Sequence, residues 1–241
     1  MTTEQATGKL RINTQRVGEL MSAITPRQIT EARFRFDMTP QDALDLLTAA
    51  YQYEVQRRQR RFVLDANTEG NLIKLAEYLT QPVPKFGIMC CGTCGNGKTT
   101  LLYAFQRVVN YLQDRRHFSF LDSDNASFKA LIEIFRAKEV AQISRDQKQF
   151  KSLMQRPMLA IDDMGTEPAE VHDYLNINTP VADVIDYRYN HQLFTFITTN
   201  LVAQQKDDKD VTIRMKYGDR IADRFNEMLH VIIFKDITYR K

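Results

Sequence analysis

The sequence contains no apolar run of about 18 residues, so it offers no helix able to cross a membrane, and no membrane partner is expected. Its opening stretch, MTTEQATGKLRINTQRVGEL, lacks the apolar core that signal peptides carry. Charge of one sign is also scarce: 33 Lys and Arg stand against 30 Asp and Glu, a net of +3. A surface that gripped nucleic acid everywhere would be more basic, so any such contact must be a local patch or a face made by assembly. Cysteine is confined to Cys90, Cys91 and Cys94. Three thiolates cannot complete a tetrahedral zinc site, and no His stands at ligand spacing beside them. They read as small, reduced core and loop residues, which favours the cytoplasm. No internal repeat or low-complexity linker interrupts the chain.

What is present divides in two. Residues 1–62 are expected to be a small helical N-terminal region, a candidate for partner binding. A short helix is predicted over 16–23. A firmer one starts at Thr39-Pro40, with Pro at the first helical position and Leu44, Leu47, Ala50, Tyr51 and Val55 at helical spacing. It ends in Arg57-Arg58-Gln59-Arg60-Arg61. That cluster is either a solvated basic end complementing the helix dipole or a contact for phosphate or an acidic partner. Another helix, over 68–79, closes before Pro82 and Pro84. Beyond it, apolar runs at 86–91, 117–121, 158–162, 193–198 and 231–234 alternate with helical stretches. This alternation predicts an α/β fold, a three-layer structure with a parallel sheet of about five strands between helices, filling residues 63–241.

The chemistry begins at Gly92-Thr93-Cys94-Gly95-Asn96-Gly97-Lys98-Thr99, which matches the P-loop pattern at every fixed position. An apolar strand leads in and a helical stretch starting near Thr100 leads out, the context this motif requires. Glycines let backbone N–H groups wrap phosphates at a helix N-terminus, where the dipole favours anions. Lys98 is expected to reach the β- and γ-phosphates and the Thr99 hydroxyl to ligate Mg²⁺.

A second element should hold the metal. The strand Met158-Leu159-Ala160-Ile161 ends in Asp162 and Asp163. Asp162 is the candidate metal residue, and Asp163 the candidate to orient and deprotonate an attacking water, with Glu167 as a second candidate for that base. The next strand ends in Thr198-Thr199-Asn200, where Asn200, or else Thr199, is placed to fix the water or sense the γ-phosphate. Arg220 and Arg224 then lie four apart on one helix face. Each follows an Asp, so they form either structural salt bridges or an arginine delivered to a neighbour's γ-phosphate.

In this order the motifs resemble the DnaC/IstB group of AAA+ ATPases, the helicase loaders and transposon helper ATPases. The resemblance covers about residues 63–241. It implies an ATP- and Mg²⁺-dependent ATPase, slow and stimulated by assembly, that acts on DNA and protein complexes. It carries Walker roles to Lys98, Thr99, Asp162 and Asp163, sensor 1 to Asn200 and the arginine finger to Arg224. Self-association through that finger face is implied, with single-stranded DNA and a replicative helicase or a transposase as partners. Residues 122–157 leave room for two helices, one matching the extra helix of initiators and loaders, with Lys129, Arg136 and Lys138 as its basic residues. The resemblance departs after a last strand at 230–235, where the usual AAA+ lid has no counterpart. A transposition helper, a small-molecule kinase and a nucleotide-binding scaffold that does not hydrolyse remain open alternatives.

Overall fold

The computed structural model describes residues 13–24, 33–113, 118–119, 131–168, 171–173, 176–202, 211–235 and 238–239. The chain divides into two compact units, Met1–Glu31 and Ala32–Lys241. The first contains α1 (Thr14–Ile24), opened by Asn13, whose Oδ1 accepts from the Arg16 N–H at 3.1 Å.

The second unit runs through β1 (Arg35–Phe36), α2 (Pro40–Arg57), α3 (Ala66–Thr80), β2 (Gly87–Cys91) and α4 (Lys98–Gln113). β3 (Phe118–Ser119), β4 (Ile132–Arg136), α5 (Ala137–Ile143), α6 (Gln147–Met154) and β5 (Met158–Met164) follow. β6 (Val171–Asp173), β7 (Asn176–Asn178), α7 (Pro180–Asn190), β8 (Phe194–Thr199), α8 (Ile213–Tyr217), α9 (Asp219–Met228) and β9 (His230–Ile233) complete it.

Five strands form one parallel sheet in the order β4-β5-β8-β2-β9. Successive side chains of a strand point to opposite faces, and the core divides accordingly. Ile88, Cys90, Met158, Ala160, Phe194 and Phe196 join the cluster under α2, α3 and α4. Met89, Leu159, Ile161 and Ile197 join the one under α5, α7 and α9. With both faces covered, β2 and β8 are buried throughout, so β2 is an unbroken apolar run and β8 mixes apolar residues with buried threonines.

α2 belongs to this unit, so the division expected after residue 62 does not coincide with the one observed. Thr39 caps the helix by accepting from the Asp42 N–H at 3.1 Å, and Pro40 supplies the first helical residue. The buried face of Ala43, Leu47 and Ala50 packs within the same core as Leu101 and Phe105 of α4. Glu54, also buried, is held by Arg57 and Arg107, each at 2.8 Å. Burial pushes this carboxyl up, but the two guanidiniums outweigh it and hold it below its ordinary range. Arg57 is therefore a structural member of the basic run.

The strand expected at 117–121 is not the fifth strand of the sheet. Its described part, β3, pairs antiparallel with β1. The edge position belongs to β4, within the stretch assigned above to helices; α5 and α6 follow it. An edge strand needs less burial, and in β4 it fades along the strand, from buried Ile132 through half-buried 133–135 to exposed Arg136, with Glu133 and Arg136 breaking up the apolar residues. That intermittent pattern gives a weaker apolar signal than the runs of the central strands.

Candidate nucleotide site

The carboxyl ends of the parallel strands open onto a cavity of about 890 Å³. Residues 94–100 line its inner end, with Asp162, Asp163, Asn200 and Arg136 beside them. Gly92 and Thr93 stand just behind, contributing backbone. Gly97 has φ +101, and a Cβ there would collide with the Tyr51 hydroxyl; one at Gly92 (φ +147) would meet the Phe234 carbonyl at 2.6 Å. The loop is thus glycine-dependent at two positions through backbone shape and close packing together.

Lys98 is 5% exposed. Its Nζ donates to Gly92 O and Thr93 O at 2.7 Å, to Asn200 Oδ1 at 2.9 Å and to Asn96 Oδ1 at 3.1 Å. All four acceptors are neutral, and no carboxylate pairs with this ammonium among the described residues. Burial accordingly lowers its pKa. A buried cation that is hydrogen-bonded but has no counter-charge is a site suited to an anion. Phosphate at a helix N-terminus fits it.

Beside it lie the oxygen donors for a cation. Asp162 Oδ1 accepts from Thr99 Oγ1 at 3.0 Å and from Thr198 Oγ1 at 2.6 Å. Burial raises the Asp162 pKa, with Asp163 adding to that effect and the two hydroxyls and Arg136 opposing it. One carboxylate and one hydroxyl next to a phosphate site form the donor set Mg²⁺ commonly takes, because that ion keeps waters and phosphate oxygens as its other ligands.

Asp163 should face away from Asp162 if β5 kept its period of two. It does not, because the pairing of β5 with β8 slips between Ile161 and Met164 and Asp163 adopts φ +56. The bulge turns both carboxylate residues onto the same cavity. Thr198 fixes it, since its Oγ1 also accepts from the Asp163 N–H at 2.9 Å. Sequence reasoning passed over Thr198; its signal was a hydroxyl two residues before Asn200. Thr199, the second choice there, is spent structurally, donating to Met164 O at 2.7 Å.

Other expectations divide. Glu167 is buried away from the cavity, accepting from the Gly165 N–H at 2.9 Å and from the Tyr217 hydroxyl, so it is not available as a base. Arg136 is not on a helix: it ends β4 and lines the cavity, whereas Lys138 lies on α5 and Lys129 lies outside the described residues. Arg224 is not in the cavity wall. Its guanidinium pairs with Asp186 of α7 and lies 4.9 Å from the Tyr189 ring centroid, while the more exposed Arg220 reaches the same Asp186 at 2.9 Å. The preceding aspartates, Asp219 and Asp223, pair with Arg214 instead.

The outer end of the cavity was not foreseen as one place. Tyr51, Val55, Phe62 and Val63 give it an apolar side, and Arg58, Arg60 and Arg61 a basic one. Arg58 donates to Thr100 Oγ1 at 2.6 Å. Tyr239 closes it, with its N–H on Gly95 O at 2.9 Å and its hydroxyl on Asp65 at 2.6 Å. Arg60 donates to its carbonyl at 3.0 Å. Thus the basic run does reach the cavity, through three of its four arginines.

The five strands form an all-parallel α/β sheet between helices, with the glycine-rich loop following β2 and the two aspartates near the end of β5. Among solved structures, that of the DnaC helicase loader is similar at a TM-score of 0.53 and 20% identity, over 77% of this chain and 98% of that one. The chain shares the DnaC fold. The structure of DnaI is similar at a TM-score of 0.51 and 18% identity, over 84% of this chain and 95% of that one. Neither likeness separates the DnaC side of the resemblance from the IstB side. No family model and no curated protein matches the chain. No helix among the described residues is long and apolar enough to cross a membrane.

Proposed function

We propose that this chain is an ATP-binding, Mg²⁺-dependent ATPase of the helicase-loader kind, a switch acting on assemblies of DNA and protein. The observation that carries the reading is the buried Lys98 ammonium, held by neutral oxygens only, beside the Thr99–Asp162–Thr198 hydroxyl and carboxylate cluster. Lys98 and the amides of residues 94–100 bind and orient the phosphates. Thr99 and Asp162 would hold Mg²⁺, which when bound would supply charge neutralisation to the phosphates. Asp163, aimed by its left-handed backbone, accepts a proton from the attacking water, and Asn200 positions that water while it steadies Lys98. The outer end receives the base and ribose against Tyr51, Val55 and Phe62.

Arg224 acts in trans on this reading, offered to the γ-phosphate of an adjoining copy after exchanging Asp186 for phosphate. Single-stranded DNA and a replicative helicase or a transposase are the partners on this reading. The test is ATP hydrolysis against protein concentration, with and without single-stranded DNA, for the wild type and Arg224→Ala. A rate per subunit that climbs with concentration or DNA and collapses in the variant supports shared sites. A flat rate, indifferent to both, removes the in-trans arginine, and turnover that needs a small-molecule acceptor would make the chain a kinase.

A further inference from the structure

Arg136 stands unabsorbed by that function. It is the last residue of β4, and in the parallel register its Cα partner is Asp162. Register partners on neighbouring parallel strands present their side chains to the same face. Asp162 turns toward Thr99, and Arg136 lines the same cavity beside Lys98, Asp163 and Asn200. Its positive charge is felt at the Asp162 carboxyl, yet no carboxylate is within ion-pair distance of its guanidinium among the described residues. The nearest acidic residue in sequence, Glu139, is engaged by the Arg136 backbone N–H at 2.8 Å and caps α5. The strand and the capped helix fix where the side chain starts, and among the described residues no carboxylate neutralises the charge that it brings to the cavity lining.

We propose that Arg136 is a γ-phosphate-binding residue acting in cis, which lets a single subunit tell ATP from ADP. The inference rests on the reading of the cavity as a nucleotide site. Lys98 is anchored at the root of the P-loop by four bonds, so it approaches the phosphates from the β2 side. Arg136 enters from the far edge of the sheet, two strands beyond β8, on the other side of Asp162 and Asp163. A terminal phosphate seated between them would be met from both sides. The planar guanidinium suits this task, because it presents paired donors that match phosphate oxygens and stays charged at any physiological pH. ADP, lacking that phosphate, would leave Arg136 in solvent at no great cost, since the side chain is already exposed. The resulting discrimination would need no second copy, unlike that of Arg224.

The experiment is equilibrium titration of the full chain with Mg²⁺ and either ADP or a non-hydrolysable β,γ-imido ATP analogue, at several protein concentrations. Wild type, Arg136→Ala and Arg136→Lys are compared, with Lys98→Ala as control. Arg136→Ala should weaken the triphosphate analogue by about tenfold or more while ADP affinity stays within about twofold, the loss of one charge-assisted contact. Arg136→Lys should recover part of the difference, and the effect should be the same at every concentration. Equal weakening of both ligands would overturn the proposal in favour of Arg136 merely supporting Asp162. Unchanged affinities for both nucleotides would overturn it as well, since Arg136 would then touch neither. If wild type and Lys98→Ala alike bind neither nucleotide, the nucleotide-site reading itself falls, a result distinguishable from failure at Arg136 alone.

Discussion

At its inner end the cavity is walled largely by one continuous stretch, residues 94–100, beside the ends of β4, β5 and β8, and its key cation is buried. At its outer end the wall is gathered from residues 51–63 and 238–239, and its cations are exposed. The inner end draws its character from desolvation: a charge taken out of water and left without a counter-ion binds an anion firmly. The outer end draws its character from assembly, since each side chain there is ordinary until the fold brings it beside the others. Strength should therefore reside inside, and ligand discrimination by shape outside.

The largest expected effect is at Lys98. Lys98→Ala should cost nucleotide affinity on the order of 100-fold or more, measured by titration, because a buried charged contact is lost. The ligand-free protein should melt no lower than wild type, since an unpaired buried charge is removed with it. A substantial drop in Tm would mean that the ammonium is structural and would blur the distinction between the two ends. Next comes Asp163→Asn, which should lower turnover by about 100-fold with nucleotide affinity retained, the scale of a general base. Loss of affinity in parallel would instead make Asp163 part of the binding apparatus.

The outer end should respond more gently. Tyr239→Ala removes the hydroxyl bonds to Asp65 at 2.6 Å and Thr68 at 3.2 Å. Nucleotide affinity should fall by roughly three- to tenfold, on the scale of about 1 kcal/mol per bond, and Tyr239→Phe should do less than Tyr239→Ala. A Tyr239→Ala loss as deep as that at Lys98 would break the comparison. The smallest effect concerns acid. His230, on β9 next to the P-loop strand, is held below the ordinary histidine range by burial, with Lys85 and Lys74 adding to it. A depressed histidine pKa favours the neutral folded form, so stability is full above about pH 6.5 and declines as pH falls from there toward the folded value. Thermal unfolding from pH 8 to pH 5 should show this slope, and His230→Gln should flatten it.

The geometry of the inner end was legible in the sequence because a P-loop is local: eight adjacent residues carry the backbone shape, the lysine and the threonine hydroxyl together. The strands β2, β5 and β8 were legible for the same reason, each carrying a local run rich in apolar residues. What escaped was whatever depends on distant residues. β4 was missed because an edge strand is half polar, and Arg136 was consequently assigned to a helix. The bulge that swings Asp163 round is a slip of pairing between β5 and β8, which no reading of β5 alone contains. The outer wall escaped because Arg58 and Tyr239 are 181 positions apart in the chain (239 minus 58).

That separation has a mechanical meaning. A ligand lying between α2 and Tyr239 would act as a removable staple, joining the first large helix of the unit to its last described residues. Tying such distant points lowers the freedom of the opened chain more than tying neighbours does. Occupancy would then govern how readily the whole unit breathes and is cut by proteases, as well as what the site itself can do.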